Sequence, residues 1–193
     1  MKSIGLLGGS FDPPHKGHLY ISLEAKKILK LNEIWWLVTP QNPLKITKPA
    51  TYNERIKNCR LITKRQAIKI TDIENTINSS CSYESIKFIQ NYYKNIKFFW
   101  LMGADNLINF HQWQKWRGIF NEISIVVFRR HGYNKKALNS VTTKTFSQFQ
   151  VVANPINQSY FKQLPSWTWI NNREIKISST EIRKQRELFR GSY

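Results

Sequence analysis

The sequence predicts an α/β fold in which helices cover both faces of an open parallel sheet. Short apolar runs alternate along the chain with segments whose apolar residues recur at helical spacing. Such alternation implies right-handed crossovers between parallel strands. The chain has 193 residues, 41% of them hydrophobic, which suits one compact core and hardly suits two. We therefore expect a single domain over residues 1–193.

Six apolar runs predict the strands of this sheet. Glycine and proline interrupt regular structure, so the first run ends at Gly8 and the second at Pro40. The predicted strands cover residues 4–7, 34–38, 67–70, 97–102, 123–128 and, as the last, either 150–153 or 167–170. Gly8, Pro40, Gly103 and Arg129 all follow apolar strands directly. The residues after them should gather at one edge of the sheet, where open α/β sheets bind ligands.

Helical spacing of apolar residues predicts five helices between and after these strands. They cover residues 17–31, 53–64, 82–93 and 113–120, and the fifth begins near Ser179. Residues 41–51 follow Pro40 and hold two further prolines, so we expect a loop there, at the ligand edge of the sheet. Residues 134–149 are predicted to be a polar surface segment.

A formal net charge of +18, from 30 Lys and Arg against 12 Asp and Glu, is the strongest bulk feature. It suggests a polyanionic partner: nucleic acid, a membrane surface or a phosphorylated small molecule. The basic residues are scattered in runs no longer than two and form neither a tail nor one helix face. We therefore expect neither nucleic acid nor membrane as partner. A general bias toward Lys, Ile and Asn is an equally good explanation of the charge.

The cysteines and the N-terminal segment bear on the compartment. The spacing of Cys59 and Cys81 matches neither a zinc ribbon nor a redox C-x-x-C pair, so we expect free buried thiols in a reducing compartment. The N-terminal apolar run breaks at two glycines and is soon followed by Asp12, unlike a signal peptide. No segment approaches the roughly eighteen unbroken apolar residues of a membrane span. A cytoplasmic protein is predicted.

The string G-G-S-F-D-P-P-H-K-G-H at residues 8–18 lies between the first predicted strand and the first predicted helix. Its glycines let the backbone approach a ligand, and its two prolines stiffen the loop. The helix that follows offers free amides and a positive dipole end to an anion. His15 and His18, three residues apart, can lean toward the same point. This combination is typical of a phosphate-binding site.

Other interpretations of this string compete with a phosphate site. It lacks the Walker pattern G-x-x-x-x-G-K-[ST] and the dinucleotide pattern G-x-G-x-x-G. Two histidines can hold zinc, but the other histidines are only His111 and His131, and no carboxylate motif joins them, so no protein-held metal site is predicted. On spacing alone, histidines that merely cap or pack in a turn remain an alternative.

The H-x-G-H string after a glycine-rich strand end resembles the signature of the nucleotidylyltransferase superfamily, and the longer string resembles its nicotinate-nucleotide adenylyltransferase branch. Three further segments resemble elements of that branch in the same order: P-Q-N-P-L-K at 40–45, G-A-D at 103–105 and I-S-S-T-E-I-R at 177–183. The resemblance spans nearly the whole chain. It implies a Rossmann-like fold and transfer of AMP from ATP to nicotinate mononucleotide, giving deamido-NAD and pyrophosphate in NAD biosynthesis.

The resemblance also implies which residues bind ATP. Taken alone, the serines and threonine at 178–180 are a helix N-cap cluster. With the resemblance, they would hold the β- and γ-phosphates together with Arg183, and Asp105 would contact the adenylate instead of capping the helix that follows it. The implied ATP-binding residues are Gly8, Gly9, Ser10, Phe11, His18, Gly103, Asp105, Ser178, Ser179, Thr180 and Arg183. The implied catalytic residues are His15, His18, Lys45 and Arg183.

The acceptor side is implied in the same way. An aromatic residue at the Trp113 position stacks on the pyridine ring in the family, whereas Trp116 is left to the core. Lys45 would reach the phosphates as a mobile charge, and Arg130, at the end of a strand, would meet the acceptor phosphate. The predicted acceptor-binding residues are Lys45, Ser82, Ser85, Trp113 and Arg130.

One position departs from the branch. The family commonly has Ser-Tyr-Thr, with the threonine near the pyridine carboxylate, where this chain has Ser82-Tyr83-Glu84. Glu84 in that place would repel a carboxylate. Three explanations stay open: Ser82 or Ser85 supplies the missing hydroxyl, main-chain amides suffice, or the preference for the acid over the amide is weaker.

The acceptor phosphate in this reaction is already ionised, so no strong general base is required. Catalysis should consist mainly of positioning and of stabilising charge on the α-phosphate and the leaving pyrophosphate. By analogy with related transfers, Mg²⁺ would bridge phosphate oxygens, held largely by substrate and water.

Two other functions stay open. A sister transferase would use the same H-x-G-H chemistry on nicotinamide mononucleotide, phosphopantetheine or glycerol phosphate, although the G-x-D and tryptophan segments argue against the last two. A basic nucleic-acid-binding module with stacking aromatics would bind oligonucleotides in a salt-dependent way and release no pyrophosphate.

Overall fold

One sheet of parallel strands organises the computed structural model, which describes residues 1–41 and 49–190. In chain order the strands are β1 (Lys2–Gly9), β2 (Glu33–Val38), β3 (Ile68–Thr71), β4 (Ile96–Gly103), β5 (Ser124–Phe128) and β6 (Trp167–Ile170). They stand side by side in the order β3-β2-β1-β4-β5-β6, and every neighbouring pair is parallel. The predicted α/β class is confirmed.

Helices connect the strands and cover the sheet. They are α1 (Lys16–Ile28), α2 (Tyr52–Ile62), α3 (Ile73–Thr76), α4 (Ser82–Tyr92), α5 (Ala104–Asn109), α6 (Trp116–Glu122), α7 (Asn134–Leu138), α8 (Val141–Thr145) and α9 (Ser179–Arg190). Short 3₁₀ turns occur at Phe110–Gln112, Ser147–Phe149 and Gln158–Tyr160. None of the helices within 1–41 and 49–190 is long and apolar enough to cross a bilayer.

The core lies in two layers, one on each face of the sheet. Successive side chains of a strand point to opposite faces, so Leu6 and Leu7 of β1 belong to different apolar clusters. One layer packs α1 and α2 against the sheet through residues such as Ala25 and Ile56. The other packs α4 to α7, with Ile86 among its buried members. Because both faces are covered, the central strands can be apolar throughout.

The strand order reverses at β1, since the chain moves outward to β2 and β3 on one side and then crosses to β4 on the other. At such a switch point the connections after the two adjacent central strands, here β1 and β4, leave in opposite directions and open a crevice at the carboxyl ends of the strands. The predicted ligand edge therefore has its crevice between Gly9 and Gly103, which end these two strands.

The last predicted strand is resolved in favour of Trp167–Ile170. Gln150 forms only an isolated bridge to Trp167, and Val152 is 83% exposed, so the segment at 150–153 leaves the sheet after Val151. The prediction for residues 134–149 was wrong. They form α7, α8 and a 3₁₀ turn, because Ala137 and Phe146 bury their side chains in the core.

The helix predicted at 113–120 begins only at Trp116. Lys115, its N-cap, has φ of 54°, a left-handed conformation that interrupts the helix path. Trp113 is extended, with φ of −74° and ψ of 141°, and is separated from the helix. Trp116 is buried in the core, as predicted.

Candidate active site

A cleft of about 370 Å³ lies at the switch point. Its floor is made by the carboxyl ends of β1, β2 and β4, which contribute Gly8, Thr39 and Gly103. Its walls come from the starts of α1, α4 and α9. The N-termini of three of the longer helices, α1, α4 and α9, therefore meet around one cleft, and each brings backbone amides and a positive dipole end toward an anion.

The glycine-rich loop has a conformation that a neighbouring aromatic stack maintains. Phe11 has φ of 48°, which is uncommon for a bulky residue. Its ring is buried, stacks on Trp36 with centroids 4.5 Å apart and lies 4.8 Å from the ring of His18. A Cβ at Gly8 would lie 2.8 Å from the ring of Trp100, so only glycine fits at that point.

His15 and His18 form a reciprocal cap at the start of α1. The Nδ1 of His15 accepts the amide of Gly17 at 3.1 Å, and the Nδ1 of His18 accepts the amide of His15 at 3.2 Å. In a neutral imidazole whose Nδ1 accepts a hydrogen bond, the proton is carried by Nε2. Both residues line the cleft, and their ring centroids are 3.8 Å apart. Capping therefore fixes the tautomer that makes Nε2 a donor.

The pKa of His15 is lowered to about 4, first by burial and then by the charge of Arg130, while Glu181 opposes the shift. His15 is therefore an uncharged donor at neutral pH. A hydrogen-bonded chain also supports the turn that carries His18, because Trp36 donates to Ser22 Oγ and Ser22 Oγ donates to the carbonyl of His18, each at 2.8 Å.

The start of α9 docks on the glycine-rich loop. Ser178 caps the helix, since its Oγ accepts the amide of Glu181 at 3.2 Å. Ser179 Oγ donates to the carbonyl of Pro13 at 2.9 Å. Arg183 donates to the carbonyl of Asp12 and, at 3.3 Å, to Thr180 Oγ1. The two motifs farthest apart in the sequence are thus joined, and all three residues at 178–180 line the cleft.

Asp105 and Arg130 form an ion pair in the cleft, with Nη1 and Oδ2 2.6 Å apart and both side chains about three-quarters buried. Arg130 Nη2 also donates to the carbonyl of Ile177 at 3.4 Å. Within the described residues, Asp105 Oδ1 is buried and has no hydrogen-bond partner. The helix cap is Gly103, so the interpretation of Asp105 as a cap was wrong. An unpaired buried acceptor is instead suited to a ligand hydroxyl.

Of the residues predicted to bind the acceptor, Ser82, Trp113 and Arg130 line the cleft. Trp113 is half-buried, with its ring 4.8 Å from that of Phe110 and edge-on to that of Trp100 at 6.2 Å. Ser85 is completely buried, and its Oγ donates to the carbonyl of Cys81 at 3.3 Å. Because Ser85 lies one helical turn into α4, its side chain turns toward the core. The prediction that its hydroxyl meets the acceptor is therefore corrected.

Glu84 is not among the residues that line the cleft. Its carboxylate accepts a hydrogen bond from Ser79 at 2.6 Å and lies 3.6 Å from the ammonium group of Lys115. The hydrogen bond from Ser79 and the charge of Lys115 both hold its pKa below the ordinary value. The partners Ser79 and Lys115 therefore reduce the repulsion that Glu84 was expected to exert on the pyridine carboxylate. Lys45 falls in 42–48, outside the described residues, so its role stays a prediction.

Two buried charged residues beneath the cleft were missed by the sequence reasoning. Arg55 is 1% exposed and sits in α2 on the same face as the buried Ile56 and Cys59. A charged residue on the apolar face of a helix can be recognised in the sequence and indicates a buried charge. Glu74 is also 1% exposed, but it lies in the four-residue helix α3, where no periodicity marks it.

Burial raises the pKa of Glu74 to about 7, although the hydroxyls of Thr39 and Ser85 favour its ionised form. Among the described residues its Oε2 has no partner. The folded protein therefore binds this proton more tightly than the unfolded chain. The resulting stabilisation is complete below the unfolded pKa of 4.5 and is lost as the pH rises to about 7.

Glu74→Gln should remove this dependence. We expect the free energy of unfolding of the wild type to fall by roughly 3 kcal/mol, relative to the variant, between pH 4.5 and pH 8, as the size of the pKa shift implies. Urea unfolding at several pH values measures it. Glu54→Gln, at an exposed position of α2, is the matched control. Parallel profiles for wild type and Glu74→Gln would contradict the prediction.

Residues 6–185 match the family model described as cytidylyltransferase-like. A protein of Ruegeria sp. (strain TM1040), named "Probable nicotinate-nucleotide adenylyltransferase", is 42% identical over 183 residues, covering 95% of this chain and 97% of its own. A protein of Pelagibacter ubique (strain HTCC1062) with the same name is 41% identical over 182 residues, covering 94% and 92%.

A solved structure has a similar fold. The nicotinic acid mononucleotide adenylyltransferase of Plasmodium falciparum, complexed with NaAD, superposes with a TM-score of 0.70 at 20% identity, covering 95% of this chain and 83% of its own. At that identity the likeness concerns the fold.

Proposed function

The chain belongs to the nicotinate-nucleotide adenylyltransferases of the cytidylyltransferase-like family, and we propose from this that it transfers AMP from ATP to nicotinate mononucleotide, producing deamido-NAD and pyrophosphate for NAD biosynthesis. The observation that carries the proposal is the junction of H-x-G-H with the start of α9. There Ser179 and Arg183 bond the loop that precedes His15. Paired histidines, helix N-termini and Arg130 line one cleft, which suits a polyphosphate.

In the proposed reaction, a phosphate oxygen of nicotinate mononucleotide forms a bond to the α-phosphorus of ATP. The bond from that phosphorus to the bridging oxygen breaks, and its electron pair leaves with pyrophosphate. Because the attacking oxygen is already ionised, no residue has to remove a proton. The protein contributes by aligning the two substrates and by stabilising the charge that develops.

The roles of the residues follow from their chemistry. His15 and His18 donate from Nε2 to the α-phosphate, and His15 does so without adding charge, because its pKa lies near 4. The amides at 178–180 and the guanidinium of Arg183 hold the outer phosphates. Asp105 accepts ribose hydroxyls through Oδ1, its buried atom without a partner in the described part of the chain.

We propose that Mg²⁺ enters with ATP, bound by phosphate oxygens and water. The carboxylates at the cleft are engaged, Asp105 with Arg130 and Asp12 with Arg183 at 3.8 Å. When bound, the ion would neutralise charge on the phosphates.

Trp113→Ala should raise the KM for nicotinate mononucleotide about ten-fold, because stacking of a base on an aromatic ring contributes 1–3 kcal/mol. The KM for ATP should stay within about two-fold of the wild type, as for substitutions away from a binding contact. Trp113→Phe, which keeps an aromatic face, should lie close to the wild type. Steady-state kinetics measure both constants, and a change confined to ATP would contradict the stacking role.

The function is tested by pyrophosphate release from ATP and Mg²⁺ with nicotinate mononucleotide, nicotinamide mononucleotide and phosphopantetheine at matched concentrations. We expect strong preference for the first, since Glu84 does not line the cleft and its carboxylate is engaged by Ser79 and Lys115. Preference for the amide would keep the chemistry and change the acceptor. Release with none of them would contradict the proposal.

We place the reaction in the cytoplasm, in keeping with the free buried thiols of Cys59 and Cys81.

A further inference from the structure

The buried guanidinium of Arg55 joins the backbone segments that follow two neighbouring strands. Its Nη1 donates to the carbonyls of Ser10 and Thr39, each at 2.7 Å. Its Nη2 donates to the carbonyl of Pro40 at 2.7 Å, and its Nε to that of Ala50 at 2.9 Å. Four of its five N–H donors are thus used, and all four acceptors are backbone carbonyls.

The charge of Arg55 is held by these dipoles. No carboxylate pairs with it in the described ranges, and burial lowers its pKa, an effect that Asp12 partly opposes. A buried charge without a paired carboxylate is costly, so the position is poorly explained by stability alone. What the side chain does provide is a fixed geometry, because a planar guanidinium holds its acceptors in one plane.

One consequence concerns the glycine-rich loop. The C=O and the following N–H of a trans peptide point in opposite directions. Holding the carbonyl of Ser10 therefore also sets the direction of the Phe11 amide, at the residue whose φ of 48° is unusual. The ring of Phe11, in turn, packs on Trp36 and against His18. Arg55 thus helps to fix the backbone beside the catalytic histidine without touching the cleft itself.

A second consequence concerns both substrates. Ser10 and Thr39 both line the cleft, and their carbonyls share the same nitrogen of Arg55. If either segment moves, its carbonyl shifts the guanidinium of Arg55. That shift disturbs the hydrogen bond from the same nitrogen to the other segment. Resting on the proposed function, we propose that Arg55 is a positioning residue that couples ATP binding at the glycine-rich loop to acceptor binding in the same cleft, whose floor includes Thr39.

Initial rates over a grid of ATP and nicotinate mononucleotide concentrations test the coupling. In the wild type, saturating ATP should lower the KM for the acceptor at least about five-fold, the lower end of typical couplings. Arg55→Lys keeps a charge, but its three N–H donors sit on one nitrogen and cannot reach all four carbonyls. The roughly five-fold effect of ATP should therefore approach one, and kcat/KM should fall about 10²-fold, as for small misplacements. Arg60→Lys, exposed on the same helix, should keep wild-type values.

The outcomes separate positioning from mere stability. An Arg55→Lys enzyme with a lower melting temperature but an unchanged dependence of one KM on the other substrate would overturn the inference. So would a wild type whose two substrates bind independently. A wild type that releases no pyrophosphate would count against the proposed function instead.

Hydrogen exchange on the wild type tests the inference without turnover and without a variant that has to fold. Addition of ATP and Mg²⁺ alone should slow exchange of the amides at 8–11 and also of those of Val38, Thr39 and Gln41, which belong to the segment that ends and follows β2. Protection confined to 8–11 would overturn the coupling.

Discussion

Replacement of His18 by alanine is expected to lower kcat by about 10²- to 10³-fold, the loss typical of removing one preorganised donor to a developing charge. The physical reason is the Nε2 proton, which the hydrogen bond to Nδ1 from the amide of His15 fixes in place. Loss of that cap should cost only about 1 kcal/mol of folding free energy. Single-turnover rates and thermal unfolding measure the two effects separately.

A second substitution separates capping from chemistry. Glutamate is the usual residue at the third position of a capping box, so His18→Glu should keep the hydrogen bond to the amide of His15 and offer no donor to the phosphate. We expect folding close to the wild type and a kcat at least as low as that of His18→Ala. His131→Ala, with a side chain 56% exposed and outside the cleft lining, is the control. Wild-type turnover in His18→Ala would remove the central role of this residue.

Replacement of Arg183 by alanine should lower kcat/KM for ATP about 10²-fold, because charge-assisted hydrogen bonds contribute 1.5–3 kcal/mol each. In this structure Arg183 bonds the carbonyl of Asp12, so the same change also loosens the docking of α9 on the glycine-rich loop. Arg183→Lys should fall between the two, since an ammonium group keeps the charge but loses the planar fork. Steady-state kinetics with ATP as the varied substrate measure the effect.

Lys184→Ala provides the matched control, because Lys184 is the next residue in the same helix and is exposed. Its kcat/KM should remain within about two-fold of the wild type, as for an ordinary surface change. Equal losses in the two variants would indicate a general effect of positive charge rather than a specific role of Arg183.

The fold could be predicted wherever burial leaves a local pattern. The strands β1, β2, β4 and β5 each contain a continuous apolar run because both of their faces are covered, and each run was found within or close to the observed bounds. The short helices α5, α7 and α8 were not found. They have five or six residues and are stabilised by tertiary packing, for example of Ala137, rather than by their own periodicity.

The candidate site divides in a similar way. Side chains in linear strings, such as His15, could be placed at the cleft from sequence, because the residues of the string are consecutive. Ser85 was misassigned because only the helical turn decides that its hydroxyl faces the core. Arg55 could not be given a role from sequence, because its partners are backbone carbonyls, which every residue carries.

The bond from Ser179 to Pro13 closes a loop of 166 residues, and that from Arg183 to Asp12 one of 171. Protein synthesis proceeds from the N-terminus, so the glycine-rich loop is made early. The start of α9, which it contacts, is made only after all six strands. The sheet can assemble during that interval, but the phosphate side of the cleft cannot. A nascent chain halted before α9 would therefore contain all six strands but lack the part of the cleft that α9 supplies, and it would not consume ATP.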